Sequence, residues 1–269
     1  MAKGKERLDV LLVQQGLFQS REKAKAAIME GIVFAGGQRA DKPGMDFSET
    51  TVFEIRGNTL PYVSRGGLKL EKALKVFPIE LSQCVLADLG ASTGGFTDCA
   101  LQNGAQRVYA IDVGYGQLDW KLRTDPRVVS MERVNARYLT AEDLPEKMDW
   151  VVSDLAFISV TKVFPAMRAI LKDEGQVLSL IKPQFEAGRE HVGKKGVVRD
   201  PEVHAQVLWM VLGQAENLGF TVRGVDFSPI RGPEGNIEYL AWLSVQSDQG
   251  IDWQSKVSEL VKEAQSGTE

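Results

Sequence analysis

A strand followed by a glycine-rich turn constrains this 269-residue chain more than any other feature. The apolar run from Val85 ends at Asp88, and Gly90 opens a turn of small residues in the order G-x-x-x-G-G. A second apolar run ends at Asp112, 22 residues after Gly90. Two runs joined in this way are typical of a βαβ unit whose turn brings the backbone close to a nucleotide-type ligand. The alternative interpretation is a tight turn with no ligand.

The glycine spacing and the first carboxylate indicate which ligand the turn would hold. Dinucleotide folds use G-x-G-x-x-G with a pyrophosphate at the next helix N-terminus, and Asp88 would repel that group. A ligand with a cationic end suits the site better, and S-adenosylmethionine carries an ammonium and a sulfonium. Asp112 would then accept hydrogen bonds from ribose hydroxyls. We therefore expect S-adenosylmethionine as the cofactor, with these residues around it: Asp88, Gly90, Ser92, Thr93, Gly94, Gly95, Phe96 and Asp112.

Composition and charge limit the class of protein. The chain has two cysteines and two histidines, which fit neither a disulfide framework nor a metal cluster, so no metal is expected. With no signal-peptide pattern and no apolar run of about 18 residues, secretion and membrane insertion are disfavoured, and a cytoplasmic protein is expected. Residues 1–75 hold 13 Lys and Arg against 9 Asp and Glu, whereas residues 76–269 hold 19 against 27. This asymmetry suggests that the N-terminal part contacts a polyanion, although such charges also serve to solvate helix faces.

The N-terminal part is predicted to be a small α+β domain. Leucines at helical spacing predict a helix over 7–15, and Ser20 caps a second helix over 21–30. Short strands are predicted over 32–35, 38–40 and 51–55. Breaking residues after them predict a linker over 59–63, which separates a first domain, 1–58, from a second domain, 64–269.

Strands and helices alternate through the second domain. After a helix over 66–76, strands are predicted over 84–88, 107–111, 127–130, 149–153, 176–181, 221–227 and 238–245. The last two strands predict a hairpin that adds an antiparallel strand to a parallel sheet, and a final helix is predicted over 251–264. The expected fold class is α/β, a Rossmann-like seven-stranded sheet of the methyltransferase type, preceded by the small α+β N-terminal domain.

Polar side chains follow several predicted strands where each one ends. Asn135 stands just past the third strand, Asp154 after the fourth and Lys182 after the fifth. Ligands of open α/β sheets bind at this edge, so Asn135 and Asp154 are also expected at the cofactor site. Asp154 and Lys182 would be partly desolvated and within mutual reach, either as a catalytic pair or as a structural ion pair. Lys69 and Glu238 are two further candidates, since each lies beside an apolar run.

The front of the chain resembles a known RNA-binding domain. The pattern R-L-D-x-x-L, then Gly, then S-R-x-x-A-x-x-x-I-x-x-G-x-V is similar to the domain first named from a small-subunit ribosomal protein. Pseudouridine synthases and tyrosyl-tRNA synthetases share that domain. Its second helix presents basic residues to RNA phosphates, which implies Arg21, Lys23 and Lys25 here, with Arg7 nearby. The segment 34–37, Phe-Ala-Gly-Gly, departs from the polar turn usual in the family.

Basic residues outside the first domain add to the predicted RNA contacts. The glycine-containing segment 186–201 follows Lys182 and is predicted to clamp the RNA backbone and to become ordered on binding, unless it is only a solvated connection. The candidate RNA contacts in this segment are Arg189, Lys194 and Lys195. Arg65, just before the helix over 66–76, is a further candidate contact.

The four charged candidates resemble the Lys-Asp-Lys-Glu tetrad of the RrmJ/FtsJ class of RNA ribose 2′-O-methyltransferases. Six segments in family order, which reach nearly to residue 245, are similar to the TlyA family: SRGGLKL, DLGASTGGFTD, DVGYGQLDWKLR, SDLAFIS, IKPQFE and GNIEY. The resemblance implies an enzyme that methylates cytidine ribose in 16S or 23S ribosomal RNA, with S-adenosylmethionine as cofactor and ribosomal subunits as partners. Its catalytic residues would be Lys69, Asp154, Lys182 and Glu238.

Several alternatives stay open at this point. Lys182 acts as a base if burial and Lys69 lower its pKa, whereas Asp154 and Glu238 favour the ammonium and an orienting role. A non-catalytic ribosome assembly factor would show a broken tetrad or an obstructed turn. A membrane-active haemolysin, which follows only from family naming, would need a membrane span.

Overall fold

The computed structural model describes residues 5–18, 20–56, 60–246 and 250–267, and it separates into two compact units, Met1–Thr59 and Leu60–Glu269. The elements of the first unit are β1 (Lys5–Arg7), α1 (Leu8–Gln14), α2 (Arg21–Glu30), β2 (Val33–Ala35), β3 (Gln38–Arg39), β4 (Asp46–Ser48) and β5 (Phe53–Ile55). β2 pairs with β3 and β5, and β1 pairs with β4, all antiparallel.

The two helices of the first unit form as their sequence signals predict. The Ser20 side chain accepts a hydrogen bond from the Lys23 backbone N–H, and α2 ends at Gly31 in the left-handed region. Leu8, Leu11 and Leu12 of α1 and Ala24, Ala27 and Ile28 of α2 make one core with residues of the strands. β1 and β4 were not predicted, because each has only three residues, which are mostly polar and none of which is fully buried.

The second unit contains the large sheet. Its helices are α3 (Gly66–Val76), α4 (Gly95–Gln102), α5 (Trp120–Arg123), α6 (Phe164–Ile170), α7 (Pro183–Glu186), α8 (Pro201–Asn217) and α9 (Val257–Gly267). Its strands are β6 (Val85–Leu89), β7 (Arg107–Asp112), β8 (Val128–Glu132), β9 (Met148–Ser153), β10 (Leu171–Ile181), β11 (Thr221–Phe227) and β12 (Tyr239–Ser244). Short 3-10 turns occur at Ala136–Tyr138, Ala141–Asp143, Val160–Lys162, Arg189–His191, Pro233–Gly235 and Gln254–Lys256.

The sheet has seven strands in the order β11, β12, β10, β9, β6, β7, β8. β12 runs antiparallel to both of its neighbours, and the pairs among β10, β9, β6, β7 and β8 are parallel. The seven-stranded fold and its antiparallel hairpin are therefore confirmed. Helices cover both faces, which is why all residues of β6 are buried and why the central strands have continuous apolar sequences.

The C-terminal helix differs from its prediction. It begins at Val257, after a 3-10 turn, and not at residue 251. The Ile251 backbone N–H instead donates to Val222 O (3.0 Å), which continues the edge of β11. The buried Trp253 indole then donates to Glu216 on α8 (3.0 Å), so this apolar stretch is anchored before the helix starts.

The described part of the predicted linker lies on the second unit. The Val63 backbone N–H donates to Asp98 Oδ2 (2.9 Å), and Gln102 Nε2 donates to Pro61 O (2.9 Å). Residue 59 of the predicted linker lies outside the described residues. No described helix combines the length and the apolar composition that crossing a bilayer requires.

Candidate active site

Four charged side chains meet at the carboxyl edge of the sheet, where β9 ends before Asp154 and β10 ends before Lys182. β12 runs the other way and pairs Tyr239 with Ile181, so the residue before it, Glu238, reaches the same edge. Lys69 arrives from the first turn of α3. These four residues, called the tetrad below, are the four that the sequence proposes as catalytic.

The tetrad forms a ring of alternating charge. Lys69 Nζ lies 2.9 Å from Asp154 Oδ2 and 2.7 Å from Glu238 Oε2. Lys182 Nζ forms an ion pair with Asp154 Oδ1 and lies 4.0 Å from Glu238 Oε1. The ring balances two cations with two carboxylates. Such balance is required, because Glu238 is fully buried and both lysines are buried, and an unpaired buried charge costs about 3–5 kcal/mol.

Charge interactions outweigh burial for two members of the ring. Burial alone would lower the pKa of Lys69, but the Asp154 and Glu238 carboxylates raise it above its ordinary value. Burial alone would raise the pKa of Asp154, but the two lysines hold it below its ordinary value. Lys69 and Asp154 therefore remain ionised at neutral pH.

The connection between β11 and β12 passes directly over Glu238. A Cβ atom added at Gly232 would overlap Glu238 Oε1, so a glycine is required for this close approach. The Gly232 backbone N–H donates to Asn236 O (2.8 Å), which closes the turn. The sequence predicts only a hairpin between the last two strands, because spacing does not reveal which side chain the connection covers.

Two adjoining cavities open beside the tetrad. The tetrad cavity, of about 620 Å³, is lined by the tetrad and by Ser64, Arg65, Gly66, Asp88, Gly90, Ala91, Ser92, Thr93, Gly95, Phe96, Ala156, Ile230, Arg231, Gly232 and Glu234. The Asp112 cavity, of about 480 Å³, is lined by Gly90, Ser92, Ile111, Asp112, Val113, Gln117, Val134, Asn135, Ala136, Arg137, Asp154, Leu155, Ala156, Phe157, Ile158 and Val163. The two share four lining residues, so one elongated ligand can occupy both.

Residues of the glycine-rich turn, Gly90 and Ser92, line both cavities. Gly90 has φ +84°, and a Cβ there would lie 2.9 Å from Asp154 O, so the turn packs directly beneath the tetrad. Asp112 accepts hydrogen bonds from the backbone N–H groups of Ser92 (2.8 Å) and Gly114 (2.7 Å). It thereby joins the turn after β6 to the turn after β7. Gly94 precedes α4 and is absent from the lining of both cavities.

Asp88 has a buried oxygen available to a ligand. Its Oδ2 accepts hydrogen bonds from the Thr97 backbone N–H (3.0 Å) and hydroxyl (2.6 Å), whereas its Oδ1 is buried and has no hydrogen-bond partner among the described residues. Burial raises the pKa of Asp88 to about 7, although Thr97 opposes the shift. Because Asp88 lines the tetrad cavity, this orphaned acceptor fits a ligand with a cationic donor group.

The segments that follow β9 and β10 are connected at three successive levels. The ion pair of Asp154 with Lys182 is the first, and contact between the Phe157 and Phe185 rings (5.4 Å between centroids) is the second. At the third, the carboxylate of Glu186 accepts hydrogen bonds from the Ser159 hydroxyl (2.6 Å) and the Val160 N–H (2.7 Å). These contacts fix the wall that the segment after β9 gives to the Asp112 cavity.

Phe157 is a functional candidate that the sequence prediction missed. Its side chain is 91% exposed, and its backbone has φ +63°, a region that bulky residues seldom occupy. Strain of this kind concentrates at functional sites. Phe157 also borders a third cavity, of about 630 Å³, with Arg137, Ile158, Ser159, Lys162, Gln184, Phe185, Ala187, Arg189 and Val192. The signal available in the sequence was only its place three residues after Asp154.

The predicted RNA-binding residues of the second unit lie at or near these cavities. Arg65 lines the tetrad cavity, and Arg189 lines the third cavity. Lys194 and Lys195 line a separate concavity of about 350 Å³ with His191, Gly193, Val197, Arg199 and Asp200.

Segment 186–201 is already anchored in the structure. Asn236 Nδ2 donates to Gly196 O (2.9 Å), and His204 Nε2 lies 3.0 Å from Val198 O. The predicted ordering of this segment on RNA binding therefore remains a prediction, and it would involve only the exposed basic residues around these anchors.

The predicted RNA-binding residues of the first unit lie on or beside α2. The side chains of Arg7, Arg21 and Lys25 converge on Asp9, with nitrogen-to-oxygen distances between 2.8 and 4.0 Å. Lys23 is exposed on the same helix.

Comparisons with known proteins agree with this architecture. Residues 62–245 match the model for FtsJ-like methyltransferases, and residues 6–52 match the S4 domain. The chain is 45% identical to the 16S/23S rRNA (cytidine-2′-O)-methyltransferase TlyA of Mycobacterium tuberculosis over 246 aligned residues. The aligned residues make up 91% of this chain and 92% of that relative. The chain belongs to the TlyA family of FtsJ-like methyltransferases. The second unit is thus a methyltransferase domain, and the first contains an S4 domain.

Other members of the TlyA family extend the comparison. YqxC of Bacillus subtilis, provisionally named an rRNA methyltransferase, is 54% identical over 244 residues, 90% of this chain and 87% of that protein. A solved structure from Streptococcus thermophilus, provisionally named a hemolysin, has 49% identity and a TM-score of 0.80, and covers 99% of this chain and 98% of that one. The fold is therefore shared along almost the whole chain.

Proposed function

We propose that this protein is an S-adenosylmethionine-dependent ribose 2′-O-methyltransferase of ribosomal RNA, which modifies cytidine in 16S or 23S RNA. The observation that carries the proposal is the charge-balanced tetrad at the wall of one cavity, which adjoins a second cavity around Asp112. A non-catalytic relative would show a broken tetrad or an obstructed turn, and neither occurs in the described residues. The family match and the named activity of the TlyA relatives support the same conclusion.

The two cavities suit the two ends of the cofactor. The Asp112 cavity offers apolar side chains such as Ile111 and Ile158 for an adenine, with Asp112 and Asn135 as polar partners for the adenosine. The orphaned Asp88 Oδ1 in the tetrad cavity fits an ammonium. The remaining contacts assigned to the cofactor are those of the glycine-rich turn and the end of β9: Gly90, Ser92, Thr93, Gly95, Phe96 and Asp154. Gly94, the other turn residue predicted at the cofactor site, lines neither cavity, and its φ of +95° assigns it to shaping the turn.

The tetrad is placed to act on the hydroxyl that accepts the methyl group. When bound, the cofactor supplies an electrophilic methyl group on its sulfonium. The hydroxyl must lose its proton as its oxygen attacks, and we assign Lys182 and Asp154 to hold the oxygen and direct that proton. Lys69 pairs with both carboxylates, and we assign it to fixing the geometry on which in-line attack depends.

The RNA substrate follows from the S4 domain together with the basic residues that line the cavities. Arg7, Arg21, Lys23 and Lys25 are the proposed contacts of the first unit, and Arg65, Arg189, Lys194 and Lys195 those of the second. Mapping ribose methylation by mass spectrometry on ribosomal RNA from cells with and without this protein tests the proposal directly. A cytidine 2′-O-methyl group that disappears with the protein is expected. An unchanged map, with no transfer by the purified protein to either ribosomal subunit, contradicts it.

Phe157 is expected to stack on a base of the bound RNA. Replacing Phe157 with Ala should weaken the productive RNA complex by about 5- to 150-fold, because stacking of a base on an aromatic ring contributes about 1–3 kcal/mol. Phe157→Tyr, which keeps the ring, should behave like the parent. Single-turnover methyl transfer over a range of RNA concentrations measures the effect, and equal rates for the Ala and Tyr variants would exclude stacking.

Cofactor binding is expected to depend on the protonation of Asp88. The folded pKa of about 7 lies above the ordinary value of 3.8, so the neutral acid is favoured in the folded protein, and the free energy of unfolding decreases as pH rises between these values. An ammonium at Oδ1 favours the ionised form, so cofactor binding releases a proton and its affinity increases as pH rises towards 7. Calorimetry in two buffers of different ionisation enthalpy detects that proton. Asp88→Asn should remove the proton release, and a parent that releases none would contradict the assignment.

A further inference from the structure

Asp9 is a fully buried carboxylate on helix α1 of the first unit. Its Oδ1 accepts a hydrogen bond from Arg7 Nε (3.0 Å), and its Oδ2 accepts hydrogen bonds from Arg7 Nη2 (3.2 Å) and Arg21 Nη2 (2.8 Å). Lys25 Nζ lies 4.0 Å from the same Oδ2. One carboxylate thus contacts a cation before α1 and two cations on α2. We call these four residues the Asp9 cluster.

The cations of the Asp9 cluster also face solvent. The side chains of Arg7, Arg21 and Lys25 are 47%, 49% and 45% exposed, whereas that of Asp9 is completely covered. Arg21 and Lys25 are four residues apart on α2, so they lie on one face of the helix. A guanidinium has five N–H donors, more than the two that Arg7 places on Asp9. The cluster therefore presents three positive groups outward around one buried negative group.

The carboxylate of Asp9 is permanently charged under ordinary conditions. The hydrogen bond from Arg7 lowers the pKa of Asp9 to about 2, together with Arg21 and against the opposing effect of burial. Its charge removes one unit from the positive surface that would attract RNA. If attraction of a polyanion were the only requirement, an uncharged residue would serve better, so the carboxylate must provide something else.

We propose that Asp9 is a positioning residue for RNA binding, which holds the three cations around it as one preset phosphate-binding cluster. Fixing the guanidinium planes before binding reduces the entropy cost of bringing them onto phosphates. The inference rests on the proposed function, because it requires that the first unit contacts the RNA substrate. It assigns a role to a residue that makes no RNA contact itself.

Replacing Asp9 with Asn tests the proposal by the sign of the effect. The variant gains one unit of positive charge, so long-range attraction alone predicts tighter RNA binding. Positioning predicts the reverse, because an amide cannot accept hydrogen bonds from both arginines at both of its positions. We expect about tenfold weaker binding to ribosomal RNA, with a salt dependence that is shallower by about 0.7–0.9 for each phosphate that the cluster no longer neutralises. Asp41→Asn makes the same charge change on the same unit outside the cluster, and should bind equally or more tightly.

Thermal unfolding shows whether the Asp9→Asn protein keeps a folded first unit. If it does not, a second variant tests the proposal. Arg7→Lys keeps the charge but cannot make the two-point contact with Asp9, and we expect several-fold weaker RNA binding with unchanged cofactor affinity. For either variant, KM for RNA should rise more than kcat falls, which a general loss of stability would not produce.

Two results separate the failure of this inference from the failure of the proposed function. If the folded Asp9→Asn protein binds RNA as tightly as Asp41→Asn, or if Arg7→Lys binds as the parent does, the positioning role is overturned. If the parent itself neither binds nor methylates ribosomal RNA, the proposed function is overturned, and this inference with it.

Discussion

Substitution of Lys182 by Ala is expected to reduce methyl transfer by about 10²- to 10⁴-fold, the range typical of a group that directs a proton in the transition state. Cofactor affinity should fall much less than the transfer rate, because Lys182 is assigned to the accepting hydroxyl and lines only the tetrad cavity, whereas the residues assigned to the adenosine line the Asp112 cavity. Single-turnover transfer to ribosomal RNA at saturating cofactor measures the first quantity, and calorimetry measures the second. Thermal unfolding must accompany both, since Asp154 and Glu238 lose a neighbouring cation.

Lys172→Ala is the matched control for this experiment. Lys172 belongs to the same strand, β10, but lies near its opposite end, where it pairs with Asp149 and is about half exposed. Its replacement removes a surface ion pair that contributes about 1 kcal/mol or less, so transfer should be unchanged. A folded Lys182→Ala protein with rates close to those of Lys172→Ala would refute the assigned role of the tetrad.

Substitution of Asp112 by Ala should weaken cofactor binding by about 10- to 150-fold. The expectation rests on the carboxylate, since a hydrogen bond to a charged group contributes about 1.5–3 kcal/mol and each 1.4 kcal/mol corresponds to about tenfold in affinity. Asp112 also connects the backbones of Ser92 and Gly114, so the variant loosens the turn as well as losing a ligand partner. Calorimetric titration with S-adenosylmethionine measures the effect.

Asp125→Ala is a suitable control for Asp112→Ala. Asp125 precedes β8, pairs with Arg127 at the surface and does not line either cavity. Its variant should bind the cofactor as the parent does. If Asp112→Ala matched it in affinity, Asp112 would have to be removed from the cofactor site.

The strands and their ends were predictable because buried parallel strands have continuous apolar sequences. Asp88, Asp112 and Asp154 therefore stood out as charges that end or follow such runs, and the structure places all three at the cavities. Spacing in the sequence could not show that Lys69 and Glu238 lie beside these carboxylates. Lys69 is on α3, which precedes the strands of the sheet in sequence, and Glu238 precedes β12, the last strand, which is antiparallel to its neighbours. Their grouping came from the resemblance to a family.

Other features escaped the sequence because their roles depend on what surrounds them. Phe157 is an aromatic residue in an apolar context, and only the structure shows that it faces solvent. Asp9 lies in a short motif, and nothing in the spacing shows that cations from two separate segments converge on it. Trp253 lies before the last helix, and its indole donates a hydrogen bond to Glu216 on α8, a tertiary contact that sequence periodicity does not show.

The close approach of Gly232 to Glu238 has a consequence for how this enzyme can evolve. Any side chain at position 232 would displace a carboxylate that is fully buried and paired with Lys69, so a substitution there should cost stability as well as disturb the tetrad. Arg231 lines the same cavity and already carries a side chain, whereas Glu234, with φ +56°, lies in the left-handed region that restricts its replacement. Under the proposed function, variation in the choice of RNA nucleotide among descendants of this sequence should therefore accumulate at Arg231 while position 232 stays glycine.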